Sequence, residues 1–404
     1  MGDLKIEVQG YCESGFEVVR DAFVRNFKEN NEVGAATSVV IDGEMVVDIW
    51  AGHMDSKRSR DWQRDTIVQV MSSTKGIVSL IVHQLVERGQ LDLDAPVAKY
   101  WPEFAQAGKE ELPVRYLLTH QAGLPAPDQM MQPGATTDWD LMVKTLSAQA
   151  PIWKPGEKFG YHANTFGWLV GQVIRGATGK RVGELIQEQI VSPLGVDFLL
   201  GFGPEHDDRV AKVINPPPAP PGVMDLVAAF KEDPNSLLIR AFMPAMPTPE
   251  YSPNSRVTRA AEMPAANGHT NARALAKIYG VLACGGASGG VELISSETLA
   301  RATKKQVGGI DEVVGAEMYF GLGFMLARPS TDNVVGQQTF GHFGYGGSVG
   351  CADPDVKLGF GYTMNQLGLG AVPMFLQITQ EGAPEPDQRA ANILQAVYAS
   401  LKNK

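Results

Sequence analysis

TIVQVMSSTKGIVSLIVHQLV, residues 66–86, places a β-rich run directly before a helix-like segment. Within it, Ser72 and Lys75 form the only Ser-x-x-Lys of the chain. Residues three apart in a helix lie on the same face, so the lysine amine is within reach of the serine hydroxyl. A backbone N–H in the first turn of a helix has no partner inside that helix. The stretch therefore predicts a nucleophile, a base and one donor of an oxyanion hole at a single helix start.

The Ser-x-x-Lys pattern is not specific by itself, because ordinary use of serine and lysine gives about one chance match in a chain of this length. The alternative interpretation is a serine that caps a helix and is followed by a solvated lysine. Motifs further along the chain are needed to decide between the two interpretations.

The composition is typical of a globular protein in water, since 44% of the 404 residues are hydrophobic and 20% are charged. A net charge of −10 argues against nucleic acid and anionic membranes as main partners. The first residues fit neither a secretory leader nor a myristoylation site, and no apolar stretch approaches the length of a membrane span. Widely spaced Cys12, Cys284 and Cys351 indicate free thiols and a cytoplasmic location rather than disulfides or a zinc site.

Hydrophobic periodicity and turn signals divide the chain into predicted elements. A hairpin is predicted from strands at residues 35–41 and 44–50, which meet at Asp42-Gly43. Residues 87–200 are predicted to be mostly helical with breaks at proline and glycine, and residues 321–365 to form Gly-rich strands. Further helices are predicted over residues 15–29, 271–282 and 388–401.

Strands at both ends with helices between them predict an α/β fold of the α+β type, with an antiparallel sheet assembled from the N- and C-terminal parts of the chain. The sheet domain is predicted to comprise residues 1–75 and 201–404. Residues 76–200 are predicted to form an inserted helical domain. Residues 202–264 contain a run of prolines and are interpreted as an irregular flap over a pocket, or as a surface excursion without a ligand. The active site is expected at the interface between the two domains.

Two more motifs follow Ser72 in the chain. Tyr161-His162-Ala163-Asn164 precedes an apolar helix, and Gly341-His342-Phe343-Gly344-Tyr345-Gly346-Gly347-Ser348 precedes a strand. In this order and with these intervals, the three motifs resemble those of the serine β-lactamase and penicillin-binding-protein superfamily, which has a β-lactamase-like fold. The resemblance is strongest to its class C-like esterase branch, the family VIII carboxylesterases and related transesterases, and it covers most of residues 15–400.

The resemblance implies a role for each motif residue. Ser72 would be acylated, while Lys75 and Tyr161 would share the proton transfers in an order that stays open. The backbone N–H groups of Ser72 and Tyr345 would hold the oxyanion. Neither a metal nor an organic cofactor is implied. The residues implied to contact the substrate are His342, Gly344, Tyr345, Gly346 and Asn164.

The chain departs from the lactamase pattern at two positions. Ala163 stands where those enzymes carry the Asn of Tyr-x-Asn, with Asn164 one place late, and His342 stands where they carry the Lys of Lys-Thr-Gly. In those enzymes the lysine contacts a carboxylate of the substrate, and the asparagine contacts its acylamino group. Both departures therefore favour small uncharged esters over β-lactams and peptidoglycan. A β-lactamase or DD-peptidase and a non-catalytic binding protein on the same fold stay as alternatives. The acyl group, the acceptor and the oligomeric state also stay open.

Some motif residues have a structural interpretation as well. Residues 346–350 also fit the Gly-x-Ser-x-Gly motif of α/β-hydrolases, in which the histidine follows the serine along the chain. Because no histidine follows His342, Ser348 is predicted not to be a nucleophile, and its glycines to let a strand pass close to the site. His120 is expected to order a loop. His342 is either a structural histidine or a substrate contact.

Overall fold

The computed structural model describes residues 6–218, 226–329, 335–369 and 387–402. Its main sheet is formed by β1 Gln9–Cys12, β2 Gly34–Ile41, β3 Glu44–Gly52, β4 Val307–Ile310, β5 Glu317–Phe320, β6 Met325–Leu326, β7 Phe340–Phe343, β8 Val349–Asp353 and β9 Leu358–Met364. These strands lie in the order β1-β3-β2-β9-β8-β7-β6-β5-β4, and every neighbouring pair is antiparallel. The pairing of β2 with β9 joins both ends of the chain in one sheet, which confirms the predicted fold class.

The described part of the chain also contains twelve α-helices of four or more residues. They are α1 Glu17–Glu29, α2 Thr74–Glu87, α3 Arg115–Leu118, α4 Trp139–Ala148, α5 Thr165–Thr178, α6 Val182–Ile186, α7 Leu226–Glu232, α8 Leu237–Phe242, α9 Arg256–Ala260, α10 Ala272–Ala283, α11 Ser296–Thr303 and α12 Arg389–Lys402. A 3₁₀ turn, Met71–Ser73, leads directly into α2.

The predicted hairpin is present as β2 and β3. Asp42 and Gly43 connect the strands, both with positive φ, as a type I′ hairpin turn requires. One face of the sheet is covered by α1 and α12, which contribute side chains such as Phe23 and Leu394 to a common core. On the other face, α10 packs against β9 and β2.

Helix α2 is buried on all sides, from Thr74 to Leu85. It packs against α5, α6, α11 and β7, which explains why its sequence is apolar all round rather than along one stripe. The start of α2 therefore lies where the helical part of the molecule meets the sheet.

The prediction that residues 87–200 are mostly helical is wrong in part. The stretches 119–138 and 149–164 consist of turns and loops apart from one 3₁₀ turn. Prolines and glycines that were expected only to interrupt helices instead stop them from forming, because proline lacks a donor and clashes with the preceding turn. Within residues 202–264, the helices are short, as the prolines predict, and residues 219–225 of that stretch lie outside the described residues.

Within the four described ranges, none of the helices combines the length and the apolar character that a crossing of the bilayer requires.

Candidate active site

Ser72 lies in the 3₁₀ turn that precedes α2, rather than in the α-helix itself. The turn begins at Met71, which has a positive φ of 46°, a backbone conformation that non-glycine residues adopt rarely and at a cost. Ser72 is half-buried, whereas its neighbour Ser73 is fully buried. The turn thus presents the Ser72 hydroxyl at the edge of the core.

Lys75 is fully buried, and its amine lies beside the Ser72 hydroxyl. The distance from Nζ to Ser72 Oγ is 2.9 Å, and Nζ also donates to the carbonyl oxygens of Ala163 at 2.7 Å and Ala265 at 3.0 Å. In the described part of the chain, no carboxylate forms an ion pair with Lys75. Burial without a counter-charge lowers the pKa of Lys75 well below its ordinary value.

The three neighbours of the Lys75 amine match the geometry of a base. A neutral amine has two N–H bonds, which the carbonyls of Ala163 and Ala265 accept, and one lone pair. The ammonium form donates to Ser72 Oγ as well, and loss of that one proton directs the lone pair to the Ser72 hydroxyl, which is the orientation that a base needs.

Tyr161 is buried against the same amine. Lys75 Nζ lies 4.9 Å from the centroid of the Tyr161 ring. Burial raises the pKa of Tyr161, and the nearby Ser72 hydroxyl opposes that shift. Among the described residues, however, no group forms a hydrogen bond of normal geometry with the Tyr161 hydroxyl. Tyr161 is therefore a neutral phenol near neutral pH, and its buried hydroxyl lies near Ser72.

The turn formed by residues 344–347 lies against the start of α2. Gly347 N–H donates to Gly344 O at 3.0 Å, and Gly346 has a positive φ of 88°. A Cβ on Gly344 would lie 2.2 Å from Val70 O, so only glycine allows this close approach. The predicted oxyanion donors, Ser72 and Tyr345, are thus carried by two segments that touch.

Ser348 connects the residues before α2 to the residues that follow the 344–347 turn by hydrogen bonds. Its hydroxyl donates to Val70 O at 2.7 Å and lies 3.1 Å from Ser73 Oγ. Ser73 Oγ also donates to Ser348 O at 3.2 Å. Ser348 is fully buried and its hydroxyl is occupied by these contacts, which agrees with the prediction that it is not a nucleophile.

His342 lies behind Tyr161, with the two rings stacked at 6.2 Å between centroids. Its Nδ1 is 2.8 Å from Phe343 O. Burial, and secondarily the Lys75 charge, lower the pKa of His342 to about 3. Its ring is therefore neutral near neutral pH and cannot supply the cation of a Lys-Thr-Gly motif.

His120 and His162 order the loop that carries Tyr161. The backbone N–H of His162 donates to His120 Nδ1, and Leu124 N–H donates to His162 Nε2, both at 3.1 Å. Because Nε2 accepts, Nδ1 of His162 carries the proton and donates to Gly160 O at 2.6 Å. This network agrees with the loop-ordering role expected for His120 and extends it to His162, which the motif pattern did not distinguish.

Asn164 is turned toward α8. Its amide nitrogen donates to Ala241 O at 3.0 Å and Phe242 O at 2.8 Å, at the C-terminal end of that helix. The Phe242 ring lies 6.1 Å from the Tyr161 ring. Asn164 thus anchors part of the expected flap beside the site.

Two groups near Ser72 and Tyr161 could not be predicted from the sequence, namely the Ala265 carbonyl and the Asp311 carboxylate. The Ala265 carbonyl binds the Lys75 amine, and a backbone group leaves no trace in a pattern of side chains. Asp311 is buried, and its Oδ1 accepts the N–H groups of Val313 and Val314. Burial raises the pKa of Asp311 to about 6, while its interactions with backbone N–H groups, including that of Tyr161, oppose the shift.

Comparisons with known proteins identify the family of the chain. The family model described as Beta-lactamase matches residues 20–377. The Esterase/beta-lactamase LipL of Mycobacterium tuberculosis is 34% identical over 369 residues, which cover 89% of this chain and 83% of LipL.

Two solved structures are similar over nearly the whole chain. A family VIII carboxylesterase is 38% identical, with a TM-score of 0.81, over 98% of this chain and 100% of that protein. A penicillin-binding protein homologue from Caulobacter crescentus is 35% identical, with a TM-score of 0.85, over 98% of this chain and 100% of that one. The resemblance inferred from the three motifs is confirmed, and the chain belongs to the β-lactamase family.

Proposed function

We propose that this protein is a serine carboxylesterase that cleaves small esters through an acyl-enzyme on Ser72. The observation that carries the proposal is the buried amine of Lys75, which lies 2.9 Å from the Ser72 hydroxyl and has no carboxylate partner among the described residues. Esterases among the relatives support it, namely LipL and the family VIII carboxylesterase. Its test is replacement of Ser72 by alanine, which should abolish most of the activity, together with covalent labelling of the native protein by a fluorophosphonate, which should modify Ser72.

The reaction follows from the groups around Ser72. Lys75 takes the hydroxyl proton while Oγ forms a bond to the ester carbonyl carbon, and the N–H groups of Ser72 and Tyr345 stabilise the resulting oxyanion. When the intermediate collapses, the carbon–alkoxy bond breaks. The leaving alkoxide takes a proton from the Tyr161 hydroxyl, which is replenished from the Lys75 ammonium.

Deacylation reverses these proton transfers. Water, or a second alcohol in a transfer reaction, gives its proton to Lys75 through Tyr161 and attacks the acyl carbon, after which Ser72 Oγ regains a proton. The lowered pKa of Lys75 and the raised pKa of Tyr161 favour Lys75 as the first base.

The surroundings of Tyr161 favour an uncharged substrate. His342 is neutral, and the amide nitrogen of Asn164 is occupied by backbone carbonyls. An apolar cluster that includes Phe320 and Phe242 packs beside Tyr161. Among the described residues, the position of the Lys-Thr-Gly lysine thus offers no cation to a substrate carboxylate, while the cluster offers apolar surface to an acyl or alcohol group. The name of LipL includes β-lactamase activity, so a β-lactamase is retained as the second candidate function.

We expect the native enzyme to hydrolyse p-nitrophenyl butyrate with a much higher kcat/KM than nitrocefin. His342→Lys should shift this ratio toward nitrocefin by roughly 10- to 150-fold, since a charge-assisted contact is worth about 1.5–3 kcal/mol. The measurement is kcat/KM for both substrates in each protein. His342→Gln is the control, because it changes the ring without adding a charge and should leave the ratio nearer the native value.

Equal kcat/KM values for nitrocefin and the ester in the native enzyme would show that the β-lactamase alternative is correct. A ratio that moves equally in the Lys and Gln variants would show that the charge is not what discriminates.

Helix α8 is proposed to form an apolar wall of the substrate site. Phe242→Ala should then raise kcat/KM for p-nitrophenyl octanoate relative to the butyrate by about 10-fold, the low end of what one or a few methylenes contribute in an apolar pocket. Phe242→Leu keeps most of the apolar volume and should change the chain-length profile much less. Unchanged profiles in both variants would place the acyl group elsewhere.

We further propose the two-part organisation predicted from the sequence, with residues 1–75 and 201–404 as one domain, 76–200 as the other, and the site between them. A cytoplasmic location is proposed from Cys12, Cys284 and Cys351, all of which are free thiols. The expected partner is a small-molecule ester, and neither a metal nor a cofactor takes part in the proposed reaction.

A further inference from the structure

The turn formed by residues 344–347 rests on a cluster of buried charges that the sequence motifs do not include. Arg389, at the start of α12, is almost fully buried. Its Nη1 lies 2.8 Å from Glu32 Oε1, and its Nη2 lies 2.6 Å from Asp387 Oδ2. A second contact, from Nε to Asp387 Oδ1 at 2.9 Å, makes the pair with Asp387 bidentate.

The same guanidinium also binds the turn. Nη2 of Arg389 donates to Gly346 O at 3.0 Å, and Gly368 N–H donates to the same oxygen at 2.9 Å. Gly346 O is thus held by one charged and one backbone donor. Charge-assisted hydrogen bonds of this kind are stronger than neutral ones and more demanding in geometry.

The contact matters because the turn has little rigidity of its own. Gly346 and Gly347 both have positive φ, and glycine adopts many backbone conformations with similar energy. A Cβ on Gly347 would lie 2.9 Å from Asp387 Oδ2, so the charge cluster packs directly against the turn. The Tyr345 N–H is in the same turn, between Gly344 and Gly346.

We infer that Arg389 is a positioning residue for the oxyanion hole, and that it acts by fixing Gly346 so that the Tyr345 N–H points at the developing oxyanion. The inference rests on the proposed function, in which Tyr345 is an oxyanion donor. Arg389 does not touch the substrate. Its effect is on the transition state, in which the oxyanion is formed, rather than on ground-state binding.

The test is Arg389→Lys, which keeps the charge but loses the planar fork that contacts Glu32, Asp387 and Gly346 together. We expect kcat for p-nitrophenyl butyrate to fall about 10- to 100-fold, the scale of a misplacement of about 1 Å, with KM changed less than about threefold. The affinity for a trifluoromethyl ketone, which forms a tetrahedral adduct with an oxyanion, should fall in proportion to kcat/KM.

Arg273→Lys is the matched control. Arg273 is also largely buried and pairs with Asp48 at 2.6 Å, but that pair lies on β3 and α10 rather than at the turn. Its replacement should leave kcat, KM and the affinity for the ketone near native values. If Arg389→Lys does not fold, Asp387→Asn decides, because it keeps Arg389 while weakening its fixation, and should lower kcat in the same way.

A folded Arg389→Lys or Asp387→Asn variant with native kcat, or with losses confined to KM, would overturn the inference. Fluorophosphonate labelling of Ser72 in each variant distinguishes failure of the positioning role from failure of the proposed function. Labelling of Ser72 with native kcat rejects the positioning role alone, whereas labelling at another residue rejects the proposed function.

Discussion

Ser72→Ala is expected to lower kcat for p-nitrophenyl esters by on the order of 10⁴- to 10⁶-fold, as the loss of a serine nucleophile does in other serine hydrolases. The reason is that no other described serine is bound to the Lys75 amine through its hydroxyl, and that amine lies 2.9 Å from Ser72 Oγ. Steady-state rates with p-nitrophenyl butyrate measure the loss. Circular dichroism establishes that the variant is folded.

The covalent adduct gives an independent measurement of the same assignment. A fluorophosphonate should label the native protein on Ser72, as located by mass spectrometry of peptides. Ser348→Ala should still be labelled on Ser72, because the Ser348 hydroxyl donates to Val70 O and has no base beside it. An adduct on Ser348, or full activity in Ser72→Ala, would show that the nucleophile is assigned incorrectly.

Lys75→Met and Tyr161→Phe should each lower kcat by at least about 10²-fold, the low end of general acid–base contributions. Because the two side chains serve one proton pathway, the double variant should be little worse than the poorer single variant. Two fully multiplicative losses would contradict the shared pathway. So would a Tyr161→Phe variant with native activity.

The pH dependence of kcat/KM distinguishes a base from a merely buried lysine. Burial lowers the pKa of Lys75, so its amine is neutral above that lowered value and becomes protonated as the pH falls through it. Activity should therefore persist well below the ordinary lysine pKa and decline on the acid side, and this acid limb should disappear from the residual activity of Lys75→Met.

Lys109 offers a matched control for this experiment. It too is fully buried, has a pKa lowered by burial, and donates to the three backbone carbonyls of Gln106, Ser147 and Gln149. Among the described residues no serine hydroxyl is bound to its amine, since the hydroxyl of Ser147 donates to Lys144 O instead. Lys109→Met should therefore keep the native acid limb even if the protein becomes less stable.

Structural elements that depend only on residues close together in the sequence could be predicted from local patterns. The hairpin of β2 and β3 follows from alternating residues around Asp42-Gly43, and the start of α2 follows from the change to an apolar run. The order of three motifs identified the family, which the comparisons confirm. The roles of Ser72, Lys75 and Tyr161 stay predictions until the experiments above are done.

Contacts between distant segments explain what the sequence could not reveal. The Ala265 carbonyl approaches Lys75 from 190 residues away, and Arg389 reaches Glu32 across 357 residues. The helical prediction for residues 87–200 was wrong for the loops within it, because periodicity does not show where prolines prevent a helix from forming. Asn164 was expected to face the substrate, whereas its amide nitrogen binds α8, a partner whose position depends on the whole fold.

The pairing of β2 with β9 has a consequence for how the protein is made. Thr37 donates to Gly361 O, and these residues are 324 positions apart. During translation, β2 therefore leaves the ribosome long before β9 has been synthesised. Until then β2 presents an unpaired edge, which is prone to bind other strands. Arg389 and α12 emerge later still. Synthesis must therefore pass position 389 before the turn beside Ser72 is supported, and nascent chains that stop earlier should be inactive and depend on chaperones.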